Sequence, residues 1–401
     1  MEKNMKAVGI VAEYNPFHNG HKYHLEQALE KSEADVCVSV ISGDFTQRGE
    51  PALLDKWTRA EMAVRNGVNL VVEMPAVFAC SNAGYFARAG VEILEALGMD
   101  NIAFGSESGN EEELAEIARE IERNAGFLEE SVKKSVKDGL SYPKARSRAI
   151  GTLLGKEAEE IIESPNNILA IEYIRNMKKA RPLVIKRLGA GYHETKACEG
   201  PASATAVRKL LAEQGDISRL VPSITREILE KRSGNFADNE MLTPLIIQKV
   251  LSSSSEELSE IFGCEEGLGN IMKARVRFWK NYEDIIRDLK SKRYTRTRVA
   301  RVLVHTLLGI KRVDVLSASN YIRILAFDER GSSYLKQVKK SGNCHLPIIT
   351  NINRDAPAFP ETAPALQKDI LASDIYNLAC GRDLYMDSEY VKKPSAVKTC
   401  P

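Results

Sequence analysis

Four short apolar runs alternate with amphipathic stretches in the first 104 residues, and few folds accept that alternation. Ala7–Glu13, Asp35–Ser42, Leu70–Glu73 and Asn101–Phe104 read as strands. His18–Lys31, Lys56–Asn66 and Gly84–Leu97 between them read as helices, and an acidic helix near Glu111–Arg123 follows. A late strand, Leu183–Arg187, and a helix, Ser203–Glu213, extend the pattern. Continuous Val/Ile-rich strands separated by helices indicate a parallel sheet covered on both faces. The predicted fold is α/β: a Rossmann-like parallel sheet with right-handed crossovers, followed by a mostly helical C-terminal part. Ligands of such sheets lie beyond the strand C-termini, where the strand order switches.

After about Val221 the pattern becomes mostly helical as far as Leu325, with Ser252–Ser255 as a turn between helices. The last 60 residues are punctuated by Pro347, Pro357, Pro360 and Pro364, and a helix near Ser373–Cys380 comes after them. This stretch is expected to pack back on the helical part. At 401 residues the chain exceeds one typical core. The expected division is residues 1–221 for the sheet domain and 222–401 for the helical domain.

No window approaches 18 consecutive apolar residues, so no membrane span is expected, and the N-terminus lacks the pattern of a secretion signal. The seven cysteines are scattered and form no CxxC pair, which suggests reduced thiols in a cytoplasm and no zinc knuckle. The net charge of +1 hides an asymmetry. Residues 270–340 hold 18 Lys/Arg against 6 Asp/Glu, a local net of +12. A polyanion-binding face explains that excess; the alternative is a set of solvated helix faces.

The loop after the first strand carries "HNGH", and three of the six histidines, His18, His21 and His24, fall within seven positions there. A strand, a tight loop and a helix start suit a phosphate, because first-turn amides lack intrahelical partners and the helix dipole favours an anion. Gly20 removes a side chain where a ligand approaches the backbone. His18 and His21 can donate to phosphate oxygens and stabilise charge that builds up in phosphoryl transfer. Two other readings stay open: a metal site, for which no Cys or carboxylate completes the ligand set, and histidines that cap or pack. No metal is assigned. Ser203 and Thr205 open a second helix in "PASATAVRKLL", with Arg208 one turn further in, a set that again suits phosphate oxygens.

These strings carry a resemblance. "HNGH" resembles the HxGH signature of the HIGH-motif nucleotidyltransferase superfamily, and "SATAVR" its second signature, with Ala204 where Ser is common. "VAEYNPFHNGHKYH", "SGDFTQRGEPAL", "DKWTRAEMA", "FGSE", "SPNNILAIEY" and "RYTRTRVARVLVHTLLGI" together resemble the bacterial tRNA(Met) cytidine acetate ligase family, over residues 8–310. The resemblance implies a reaction: acetate and ATP give acetyl-adenylate and pyrophosphate, and the acetyl group then passes to N4 of the wobble cytidine of elongator tRNA(Met).

It also implies roles. His18 and His21 are expected to act at the α-phosphate. ATP is expected to contact Val11, Ala12, Glu13, Tyr14, Asn15, Pro16, Phe17, Asn19 and Gly20 in the first loop. Further expected contacts are Gly105, Asn166, Asn167, Arg187, Ser203, Thr205 and Arg208. Lys56 would add phosphate charge at a helix start, and Arg48 would border the site. Lys292, Arg293, Arg296, Arg298 and Arg301 are expected to bind tRNA, with Tyr294 either stacked on a base or buried. On one helix, residues 294, 298 and 301 would share a face. Mg²⁺ is expected with ATP, and no protein partner is implied. Two other classes remain: a small-molecule nucleotidyltransferase acting on a phosphorylated metabolite, and a non-enzymatic RNA-binding protein with a vestigial nucleotide site.

Overall fold

A computed structural model describes residues 4–187, 203–318 and 320–398. One eight-stranded sheet organises them. Its strands are β1 (Ala7–Ala12), β2 (Val36–Ser42), β3 (Leu70–Met74), β4 (Asn101–Ser106), β5 (Arg181–Lys186), β6 (Ile322–Phe327), β7 (Ile348–Ile349) and β8 (Ser395–Ala396). The order is β5-β4-β1-β2-β3-β6-β7, with β8 also on β6. β1 to β5 run parallel. β1 lies at the switch: β2 and β3 extend the sheet to one side, β4 and β5 to the other.

Both faces are covered, as the unbroken apolar strands require. Val36, Val38 and Val40 point into one layer with Leu94 of the helix Ala83–Ala96. Cys37 and Ile41 point into the other, against α1 (Asn19–Ser32) and α2 (Lys56–Arg65). Each large apolar side chain so buried contributes about 1.5–3 kcal/mol. A one-residue slip would exchange the two sets, so the register is strongly specified. The helix Ala83–Ala96 closes on β1 through two glycines. A Cβ on Gly9 would meet Leu94 at 2.7 Å, and one on Gly90 would meet Val11 at 2.7 Å.

The helical stretch read as running to Leu325 is interrupted by β6. This strand pairs antiparallel with β3, with an irregularity between Val71 and Val72. "YIRILAF" is a short continuous apolar run, which periodicity alone does not separate from a helical segment. The Pro-punctuated C-terminal part packs on the helical part and on the sheet half as well. Its helix runs over Ala363–Ala379: Lys368 donates to Gly309 O at 2.8 Å, Asp369 accepts from the Ala76 amide at 2.6 Å, and the Tyr376 hydroxyl donates to Ala52 O at 2.9 Å. Among the described residues, no helix is long and apolar enough to cross a membrane.

Candidate active site

β1 ends at Ala12, and the loop that follows enters α1 through an unusual cap. His18 occupies the N-cap position in extended conformation, where Ser, Thr, Asn or Asp is usual. Its Nδ1 accepts from the Gly20 amide at 3.0 Å, and the His21 Nδ1 accepts from the His18 amide at 3.3 Å. This reciprocal cap fixes both tautomers. A ring nitrogen that accepts carries no hydrogen, so each neutral ring holds its hydrogen on Nε2. The rings stack with centroids 3.7 Å apart. Tyr14 meets the His21 ring edge-on at 5.0 Å, and Phe17 lies 5.5 Å from it.

The electrostatics keep these rings neutral. Burial, then Arg187 and Arg208, push His18 down to about 3. Burial first, then its histidine neighbours and Arg187, lowers His21 well below the ordinary imidazole value. Burial and Arg187 push His24 down to about 4. A proton on the Nδ1 of His18 would also break the cap and place positive charge at a helix N-terminus. The pair therefore offers two Nε2–H donors in place of one or two imidazolium ions.

The first-turn amides, expected to be free, are already used. The Asn19 amide donates to Leu220 O at 3.0 Å, its Nδ2 donates to Arg219 O at 2.9 Å, and the Gly20 amide is taken by His18. Neither amide is left for an anion, so any donors to one at this turn would be side chains. Val11, Ala12, Glu13 and Gly20 are half-buried, whereas Tyr14, Asn15, Pro16 and Phe17 are buried and form the underside of the loop. The Tyr14 hydroxyl bonds Ser39 Oγ at 2.9 Å, and Asn15 Oδ1 accepts from the Leu53 amide at 2.8 Å.

Two cationic side chains approach this loop from other elements. Arg208, in the helix Ala204–Ala212, donates from Nη1 to Asn15 O at 2.8 Å. Ser203 caps that helix by accepting from the Ala206 amide at 3.3 Å, and Thr205 Oγ1 accepts from Arg208 at 3.4 Å. Arg187 follows β5. A Cβ on Gly105, near the end of β4, would lie 3.3 Å from its Cγ, so that glycine gives Arg187 its room. Arg187 Nε is 4.0 Å from Glu107, to which Asn166 also donates. The sequence reading missed Glu107, and its Oε2 is buried without a partner.

Asn167 stands behind the turn and does not face a ligand with its amide. Its Oδ1 accepts from Ser106 Oγ at 2.7 Å and the Glu107 amide at 3.0 Å, and its Nδ2 donates to Ile161 O at 3.0 Å. Lys56 is a correction. It is fully buried, 2.7 Å from Glu73 and 3.1 Å from Glu389, and so forms a structural ion pair with no free charge for phosphate. Arg48 is exposed on the loop between β2 and α2, within electrostatic reach of Arg208.

The basic segment differs in detail from one helical face. The helix starts at Arg296 with Thr295 as its cap, so Lys292, Arg293 and Tyr294 precede it in a turn. Tyr294 is buried, donating to Glu265 O at 2.6 Å, and is no stacking platform. Arg293 pairs with Glu266 at 3.0 Å, Arg298 with Glu265 at 3.3 Å, and Arg296 with Glu283. Lys292 lines a surface cavity of about 570 Å³ with Arg287, Lys290 and Arg296. Arg301 departs from that surface: it is half-buried and donates to Gln47 O at 3.4 Å. Its backbone abuts Gly49, where φ is +76° and a Cβ would meet Arg301 N at 2.3 Å. The basic helix and the Arg48 loop therefore touch.

Comparison with known proteins accords with this geometry. The HIGH Nucleotidyl Transferase family model matches residues 5–389. The tRNA(Met) cytidine acetate ligase of Thermoanaerobacter sp. (strain X514) is 39% identical over 390 residues, 94% of this chain and 96% of that protein. That of Listeria monocytogenes serovar 1/2a is 37% identical over 394 residues, 96% and 98% of the two chains. The apo crystal structure of Thermotoga maritima TmcAL superposes with a TM-score of 0.89 at 31% identity, covering 98% of this chain and 100% of that one. The same protein bound with alpha-thio ATP gives 0.87 with the same identity and coverage. With matches that span nearly its whole length, the chain belongs to the HIGH nucleotidyltransferases, in the family of the tRNA(Met) cytidine acetate ligases.

Proposed function

We propose that the protein is an ATP-dependent acetate ligase that forms acetyl-adenylate and transfers the acetyl group to N4 of the wobble cytidine of elongator tRNA(Met). The observation that carries the chemistry is the stacked His18–His21 pair with both hydrogens fixed on Nε2, flanked by Arg187 and Arg208. An acetate oxygen attacks the α-phosphorus, the bond to the β-phosphate oxygen breaks, and pyrophosphate leaves. The cytidine amine then attacks the acyl carbon, AMP leaves, and the amine loses a proton. The first step brings two anions together, so neutral donors and two guanidinium groups beyond the end of β1 supply what it needs. Ser203, Thr205 and Arg208 fit the β- and γ-phosphates, and Arg187 with Gly105 and Asn166 fits the nucleoside side. Mg²⁺ enters with the triphosphate: among the described residues no group of three or more His, Cys, Asp or Glu is placed to hold a metal ion.

In this reading residues 1–221 supply most of the ATP and acetate site. Lys292, Arg293, Arg296 and Arg298 in residues 222–401 meet tRNA phosphates, exchanging Glu265, Glu266 and Glu283 for them. The contact of Gly49 with Arg301 joins the two. Acetate-dependent exchange of labelled pyrophosphate into ATP tests the first step. Exchange that needs acetate and not tRNA is the expected result. Exchange driven by a phosphorylated metabolite and indifferent to acetate would favour a small-molecule nucleotidyltransferase.

A further inference from the structure

Arg59 in α2 is fully buried, and every bond it makes is to a backbone carbonyl. Nε donates to Leu54 O at 2.9 Å and Nη1 to Glu13 O at 2.6 Å. Nη2 donates to Ser42 O at 3.0 Å and to Gly43 O. Carboxylates on the adjoining segments are taken elsewhere: Asp55 pairs with Arg382, Glu73 with Lys56, and Asp44 accepts from the Lys56 amide and the Ser373 hydroxyl. Among the described residues none forms an ion pair with Arg59.

A buried guanidinium without a counter-ion is costly, so what it accomplishes must justify it. Glu13 and Gly43 directly follow β1 and β2, Ser42 ends β2, and Leu54 precedes α2. Carbonyl oxygens at this edge of a parallel sheet present negative dipole ends on the side where ligands bind. Under the function proposed above, two anions must meet there. The planar five-donor fork of arginine can bind several such oxygens at once, which a lysine head cannot. The first loop is thereby held from two sides, by Arg59 at Glu13 O and by Arg208 at Asn15 O.

We propose that Arg59 is a positioning residue of the nucleotidyl-transfer site, drawing these four carbonyls away from the reacting groups and leaving an unneutralised positive charge beneath them. It touches no substrate in this account. The inference rests on the acetate-adenylation reading, and its test separates the two.

Arg59→Lys keeps the charge and loses the fork, whereas Arg59→Gln loses both. Acetate-dependent pyrophosphate exchange and ATP titration are measured on both variants and the wild type, with circular dichroism to give the folded fraction. Arg59→Lys should lose about tenfold in kcat with the KM for ATP nearly unchanged. Arg59→Gln should lose about 10²-fold or more in kcat and bind ATP about tenfold more weakly. Equal losses in both variants that track the folded fraction, or wild-type kcat in folded Arg59→Gln, would overturn the proposal. So would failure of both to fold, since a residue needed for the fold itself has no need of a part in the chemistry. A wild type without acetate-dependent exchange would sink the function reading alone. Arg59 would then be judged by ATP affinity, which must stay near wild type in Arg59→Lys and fall about tenfold in Arg59→Gln.

Discussion

The imidazole of His18 lies on that of His21 with ring centroids 3.7 Å apart and planes inclined by 22°, each ring accepting a backbone N–H on its Nδ1. One arrangement caps α1 and also aims two Nε2–H donors away from the helix. In the proposed mechanism the cap and the chemistry are thus carried by different nitrogens of the same rings, which substitution can separate.

His18→Asn keeps a good N-cap and removes the Nε2 donor. Thermal unfolding should stay close to wild type while acetate-dependent pyrophosphate exchange falls about 10²-fold. His21→Ala should abolish exchange and leave tRNA affinity intact, because the basic surface is separate. Normal exchange in folded His21→Ala would remove the pair from the mechanism.

The pH dependence follows from the direction of the shifts. Burial pushes His18 down to about 3 and His24 to about 4, and lowers His21 well below its ordinary value, so all three are neutral at neutral pH. The exchange rate should show no inflection near 6.5 assignable to them. Folded values below unfolded ones mean stability that is present above about pH 6.5 and lost as pH falls toward 3–4. Denaturant melts from pH 7.5 down to 4 should show that decline. An inflection in the wild-type rate near 6.5 that disappears from the residual rate of His18→Asn would contradict the neutral pair.

Lys56 should matter to the fold and not to phosphate binding. Removing it by Lys56→Met leaves Glu73 and Glu389 buried with one cation fewer, Arg323 remaining 3.4 Å from Glu389. Breaking a buried pair from one side costs about 3–5 kcal/mol. Urea unfolding should report a loss of that order, and adding Glu73→Gln should recover part of it. Unchanged stability with weaker ATP binding would return Lys56 to the site.

Replacing Arg293, Arg296 and Arg298 with Gln should weaken tRNA binding and flatten its dependence on salt, by a log–log slope of about 0.7–0.9 per lost phosphate contact. Replacing Glu265, Glu266 and Glu283 with Gln should strengthen binding, since those carboxylates pair with the guanidinium groups that the proposal assigns to phosphate. Filter binding across a salt series reads both. Unchanged affinity in the arginine variant would mean the surface lies elsewhere.

The parallel sheet and the loop at its switch point were legible because strand, loop and helix start follow one another within 25 residues. The stacked histidines were not, since spacing alone cannot say which ring nitrogen meets which amide. Lys56 and Arg59 were misread or missed, although they share one helix face with Ala60 and Ala63. Charged residues on an otherwise apolar face were the available signal. What that face packs against depends on β3 nearby in sequence and on β6 and Glu389 far along it, Glu389 lying 332 residues beyond Trp57, whose indole it accepts from. β6 escaped for a related reason: its partner β3 lies far back in sequence, and a short apolar run names no partner.

The most direct test of the central claim is to supply the protein with ATP, Mg²⁺, labelled acetate and a bulk tRNA pool, then digest the RNA to nucleosides for mass spectrometry. Labelled N4-acetylcytidine that requires both ATP and acetate, and is lost with His21→Ala, is the expected result. ATP turnover with no labelled nucleoside from any tRNA would contradict the account.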